Sequence, residues 1–186
     1  ESFLKDRGFW YGRGDHRPVV PSTLEAIETW QRLKSGSTIS LLEVKNLYNK
    51  IKSGTGIKRG GKTFKGENEE SLFNLEDLKN NHGLLVDGYW HEVMDKVSDF
   101  DITYLRRLER IGENIKGEPR IRVSTIHQAK GGECDNVVVL LDLGRLVYRS
   151  YMKNPDDEHR VFYVAVTRAK KNLYIVESQQ PEGYLI

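Results

Sequence analysis

The sequence predicts an α/β fold, and three stretches carry that expectation. Residues 121–126 alternate as a strand, with Ile121, Val123 and Thr125 on one side and Arg122, Ser124 and Ile126 on the other. Asn136-Val-Val-Val-Leu-Leu-Asp142 is a continuous apolar run of the kind a buried strand shows. The chain then passes through two helical stretches into a closing strand, Leu173-Tyr-Ile-Val-Glu177. From Ile121 onward the order is strand, loop, strand, helix, helix, strand.

The elements before Ile121 follow from caps and periodicity. Residues 1–20 read as the end of a helix, a short strand at Gly8-Phe-Trp-Tyr11, and a loop marked by Gly12, Gly14, Pro18 and Pro21. Ser22-x-x-Glu25 is a capping box opening a helix with Leu24, Ile27, Trp30 and Leu33 on one side, stopped by Gly36. Ser40-x-x-Glu43 opens a second, with Leu41, Val44, Tyr48 and Ile51 at helical spacing and Gly54 as its stop. The two form an antiparallel pair. Residues 52–66 read as a flexible basic loop, with Lys52, Lys58, Arg59, Lys62 and Lys65 among glycines and no carboxylate. Short helical patterns follow around Leu72, Phe73, Leu75 and Leu78. A helix from Asp87 would turn Trp90, Val93, Met94 and Val97 to the core. Another, from about Asp101, carries Tyr104, Leu105, Leu108 and Ile111 to a stop at Gly112. Asn154-Pro155-Asp156-Asp157 is a helix start, with proline first and carboxylates at the positive dipole end.

Composition sets the outer bounds. At 186 residues the chain is long enough for one full core, or for one α/β domain with a helical insertion. A formal net charge of +2 means that basic residues matter by placement rather than by excess. The single cysteine, Cys134, rules out an internal disulfide and fits a reducing compartment. No apolar run approaches the ~20 residues that a membrane span needs. Glu1-Ser-Phe-Leu-Lys-Asp6 is mixed and charged, unlike a signal peptide. A cytoplasmic protein, acting as a monomer and away from membranes, is the expectation.

Two clusters carry chemistry. In the first, the strand from Ile121 breaks at His127 into a turn closed by Gly131-Gly132, placing Thr125, His127, Lys130 and Glu133 at a strand's C-terminal end. Ligands of open α/β sheets bind at such ends. The second, Tyr163-Val-Ala-Val-Thr-Arg-Ala169, ends a helix on an arginine, whose fork of donors suits phosphate oxygens. Two acid-base neighbours, Glu158 and Arg160, precede it.

These clusters resemble motifs V and VI of the superfamily 1 DNA helicases, in the UvrD/Rep-like branch. Thr125, His127, Lys130, Gly131 and Glu133 meet every fixed position of Thr-x-His-x-x-Lys-Gly-x-Glu. Glu158, Arg160, Tyr163, Val164, Ala165, Thr167, Arg168 and Ala169 match motif VI. The Lys130-Gly131 pair, where RecD-like enzymes usually carry Gln-Gly, favours the branch that moves 3′ to 5′. The resemblance implies a RecA-like parallel-sheet domain of a P-loop helicase with a small inserted helical subdomain. Residues 1–36 and 119–186 would be the second motor domain. Residues 37–118 would be the insertion, carrying the basic loop. It further implies that a first motor domain of the same polypeptide holds most of ATP and Mg²⁺. The first strand of the second domain, with the motif IV arginine, is expected just before Glu1. The chain is then the C-terminal portion of a longer helicase, and is expected to be inactive alone.

By the same resemblance Arg168 is the arginine finger, and Glu133 meets the ribose, with Gly132 beside it at the nucleotide. Thr125 and His127 contact the phosphates of single-stranded DNA. Each has a plainer reading. Arg168 would bond the last carbonyls of its helix, Glu133 would be a surface carboxylate, and His127 a satisfied structural histidine. Arg160 either joins the nucleotide site or pairs with Asp156 or Asp157. Gly56-Ile-Lys-Arg-Gly-Gly-Lys62-Thr63 formally satisfies G-x-x-x-x-G-K-[ST], but follows an amphipathic helix rather than a strand and precedes an acidic stretch. Lys58, Arg59 and Lys62 would instead touch DNA phosphates, or the loop is a solvated hairpin. A stand-alone nucleic-acid-binding module derived from a helicase domain and a small P-loop NTPase using residues 56–63 are the alternatives.

Overall fold

The computed structural model describes residues 2–14, 16–115 and 117–185. In chain order its elements are α1 (Ser2–Arg7), β1 (Tyr11–Gly12), α2 (Pro21–Lys34), β2 (Ile39–Ser40), α3 (Leu41–Asn49), β3 (Leu72–Phe73), α4 (Leu75–Asn80), α5 (Trp90–Val93), α6 (Asp99–Arg110), β4 (Ile121–Arg122), β5 (Cys134–Leu140), α7 (Arg145–Tyr151), α8 (Pro155–Val166) and β6 (Ala169–Val176). They fall into two units, Glu1–Ile121 and Arg122–Ile186.

The first unit is mainly helical. Ile27, Trp30 and Leu33 of α2, Val44, Leu47 and Tyr48 of α3, and Leu105 and Leu108 of α6 belong to one buried cluster. Residues 21–34 therefore share a core with residues 41–108. At the start of α3 the Ser40 hydroxyl accepts the Glu43 N–H at 3.4 Å, and the Glu43 carboxylate accepts the Ser40 N–H at 2.8 Å. Such a cap is worth about 1 kcal/mol against alanine. The helix ends at Asn49, before the expected Gly54 stop.

The capping box expected at Ser22 does not form. Helix α2 starts on Pro21 behind Val20, with no side-chain cap. Proline suits this first position because its missing N–H has no helical partner there. Ser22 therefore lies inside the first turn, where its hydroxyl accepts the Lys50 ammonium at 2.9 Å. The helix expected from Asp87 is one turn, Trp90–Val93, because Met94 leaves helical geometry with ψ 66°. Met94 and Val97 are nonetheless buried, as their spacing suggested, whereas Ile111 is exposed. Trp10 and Tyr104 belong to the core, and the Tyr104 hydroxyl donates to the Phe9 carbonyl at 2.7 Å. Asp87 accepts from both Lys34 and Lys79, and these bonds lower its carboxyl to about 2.

The second unit is built on a parallel pair. β5 and β6 run in register from Asn136↔Asn172 to Leu140↔Val176. Helix α8 covers one face, where Phe162 and Ala165 join Val139 and Leu141 in a small core. Tyr184 stacks on Phe162 with ring centroids 3.9 Å apart, and its N–H donates to the Leu141 carbonyl at 2.8 Å. The opposite face is bare: Val138, Leu140 and Tyr174 are more than half exposed. The apolar run that read as a buried strand is thus covered on one side only. The start of α8 is as read, with Pro155 first and Asp156, Asp157 and Glu158 in the first turn. Among the described residues no helix is long and apolar enough to cross a membrane.

Candidate nucleotide and nucleic-acid site

The strand expected over residues 121–126 lasts two residues, Ile121–Arg122. The backbone then closes into a turn, and local hydrogen bonds explain why. The Thr125 N–H donates to Gln128 Oε1 at 3.2 Å, and the Gln128 N–H returns to Thr125 Oγ1 at 3.3 Å. This reciprocal pair works like a helix cap. The Ala129 N–H then reaches the Thr125 carbonyl at 3.1 Å, and the Gly132 N–H reaches that of Ala129 at 3.1 Å. Gly131 sits at φ +83°, a left-handed conformation that costs a glycine little. The turn leaves Thr125, His127, Lys130, Gly132 and Glu133 exposed. It follows the C-terminal end of β4 but lies at the N-terminal end of β5.

Arg168 is held at the same edge. Helix α8 stops at Val166, Thr167 caps it, and β6 starts at Ala169. The lysines after Arg168 are therefore strand residues, not a helix terminus. The half-buried Arg168 guanidinium donates through Nε to the Val164 carbonyl at 3.0 Å, through Nη2 to Thr167 Oγ1 at 3.1 Å, and through Nη1 to the Gly132 carbonyl at 3.3 Å. The Cys134 N–H donates to the Arg168 carbonyl at 3.0 Å. The plainer reading of Arg168, a bond to its own helix carbonyls, is thus realised in this conformation. The same side chain also joins the second cluster to the first.

Three of the residues singled out for nucleotide binding, Gly132, Glu133 and Arg168, therefore come together. Glu133 pairs with Lys170 at 3.3 Å. Arg160 pairs with Asp157 at 3.3 Å, the surface alternative for that residue. This edge thus offers a guanidinium, with its fork of donors, and a carboxylate, an acceptor.

The basic loop of the first unit packs against its core. Ile57 is fully buried, Phe64 packs against the core, and Lys58 N–H donates to the Gly83 carbonyl at 2.8 Å. A Cβ on Gly61 would lie 3.0 Å from the carbonyl oxygens of His82 and Lys58, so glycine permits this close backbone approach. Lys58 and Arg59 are exposed. Lys62 is not deployed like them: its ammonium donates to the carbonyl of Tyr48, in the last turn of α3, and to that of Ile51, just past the helix end. Burial and the nearby Lys96 lower its pKa, and Asp95 opposes them. Residues 56–63 have neither the strand before nor the helix after that a P-loop requires, which removes the reading of Lys62 as a P-loop lysine. They are not a solvated hairpin either.

The family model of the UvrD-like helicase C-terminal domain matches residues 23–180, and the chain belongs to this family. Comparison with curated proteins and with solved structures finds no match. A helicase-related role and a helicase C-terminal α/β fold follow from the family. Sequence reasoning missed Lys170. The Lys170-Lys171 doublet was legible, but not the register that points it at Glu133.

Proposed function

We propose that this chain is the RecA-like second motor domain of an ATP-dependent DNA helicase that translocates 3′ to 5′, with an inserted helical subdomain. Arg168 is its arginine finger. Glu133 and Gly132 meet the nucleotide, and Thr125 and His127 contact the phosphates of single-stranded DNA. Lys58 and Arg59 add phosphate contacts from the basic loop. A first motor domain supplies the P-loop lysine and the carboxylates that hold Mg²⁺; when bound, ATP and Mg²⁺ supply the phosphoryl group and its charge neutralisation.

The bond from Arg168 Nη1 to the Gly132 carbonyl carries this reading, because it puts the arginine of one motif on the loop of the other. The bonds that hold the guanidinium here go to neutral oxygens. An anionic phosphate oxygen accepts roughly twice as strongly, so Arg168 can exchange the Gly132 carbonyl for a γ-phosphate. Thr125 and His127 stand on the turn that ends at Gly132. DNA bound at one end of that turn is thus linked to the finger at the other.

The test is steady-state ATP hydrolysis by the helicase that carries this chain. Arg168→Ala should lower kcat by about 10³-fold or more, with nucleotide affinity changing less. Near-normal turnover would return Arg168 to a helix-terminal role.

A further inference from the structure

β5 and β6 slip by one residue at the site edge. Cys134 faces Ala169, whereas Asn136 faces Asn172, so Asp135 alone stands opposite both Lys170 and Lys171. This is a β-bulge in β6, and bulges beside functional sites re-aim side chains. Here it re-aims one of two adjacent lysines. In a regular strand successive side chains point to opposite faces. Across this bulge Lys170 reaches Glu133 at 3.3 Å and Lys171 reaches Asp135 at 2.7 Å, two consecutive cations meeting carboxylates two residues apart. The next rung, Asn172 to Asn136 at 2.8 Å, restores the register.

We propose that Lys170 is the positioning residue for Glu133, set on its carboxylate by the bulge in β6. This rests on the reading of Glu133 as the ribose contact. A carboxylate that accepts ribose hydroxyls beside a triphosphate has two requirements: one fixed orientation, and an offset to its own negative charge. Lys170 meets both. Its ammonium holds one carboxylate oxygen, Oε2, and its charge lowers the repulsion between Glu133 and the phosphates. Exposed ion pairs add little to stability. Loss of the pair should therefore leave folding almost unchanged, and its effect is to be read in nucleotide binding.

The experiment compares ATP with 2′,3′-dideoxy-ATP in steady-state hydrolysis by the helicase that carries this chain, at saturating single-stranded DNA. Lys170→Gln should raise KM for ATP about fivefold, the scale of one missing hydrogen bond, with kcat within about twofold of wild type. The preference for ATP over the dideoxy analogue in kcat/KM should fall toward that of Glu133→Gln. Lys170→Arg, which keeps charge and reach, should restore both. Lys171→Gln, which frees Asp135 instead, should change neither. Wild-type KM and preference in Lys170→Gln, while Glu133→Gln loses the preference, would overturn the inference and leave the ribose reading standing. Equal effects of Lys170→Gln and Lys171→Gln would also overturn it, because the strand edge rather than the Glu133 pair would then be responsible. An unchanged preference in Glu133→Gln would overturn the ribose reading, and this inference with it.

Discussion

His127 offers an exposed imidazole on a turn whose geometry is set by its neighbours: Thr125 and Gln128 close it, and Gly131 supplies the positive φ. Fold and contact are therefore separable at this residue. His127→Ala should weaken binding of a labelled single-stranded oligonucleotide to this chain, read by fluorescence anisotropy. One neutral hydrogen bond is worth about 0.5–1.5 kcal/mol, which is about 2- to 13-fold in affinity. Thermal stability should stay within about 0.5 kcal/mol of wild type, as for other exposed substitutions. A destabilised variant would show that the imidazole serves packing. The two motifs were legible because their residue types sit at fixed spacing along the chain. Lys170 was not, because its meeting with Glu133 depends on a register slip between strands some 35 residues apart in sequence, set by pairing rather than by the local pattern.

At the scale of elements, periodicity read faces better than ends. Leu41, Val44, Tyr48 and Ile51 are all buried as expected, although α3 stops at Asn49 and Ile51 lies beyond it. What lies beyond is the loop of residues 52–66, where counting charges misread one lysine. Lys62 serves the end of α3, where the last carbonyls and the negative end of the dipole attract a cation. No sequence rule distinguishes it from Lys58 and Arg59, since the difference is made by the Ile57 anchor that turns the loop inward. The two kinds of cation should separate by experiment. Lys58→Gln with Arg59→Gln should leave the fold unchanged and flatten the dependence of log affinity for single-stranded DNA on log salt, by about 0.7 for each phosphate no longer neutralised. Lys62→Met should leave that slope unchanged and destabilise the protein by about 1–3 kcal/mol, because the carbonyl of the buried Ile51 loses its lysine donor. A flattened slope with intact stability in Lys62→Met would reverse this assignment and put its ammonium on the nucleic acid.

Over the whole molecule, the two units are unequally provided with core. The first unit buries most of the large apolar side chains, including Trp10, Trp30 and Trp90. The second relies on Val139, Leu141, Phe162 and Ala165, with Ile126, Val137, Leu143 and Tyr184 packed beside them, and leaves one face of its parallel sheet exposed. Burial of a large apolar side chain contributes about 1.5–3 kcal/mol, so the second unit, with the smaller core, should be the less stable of the two. That ranking suits the proposed role, in which the turn and the arginine exchange partners, since mobile functional segments come from the less stable parts of a structure. The tryptophans make it measurable, because all three lie in the first unit and none in the second. In a urea titration, tryptophan fluorescence should report the unfolding of the first unit alone. Far-ultraviolet circular dichroism, which also sees α7, α8, β5 and β6, should begin to change at lower urea. The single-stranded DNA affinity proposed for Thr125 and His127 should disappear with that earlier phase. Coincident midpoints by both probes would mean one cooperative transition, and would remove the basis for treating the site-bearing unit as the weaker one.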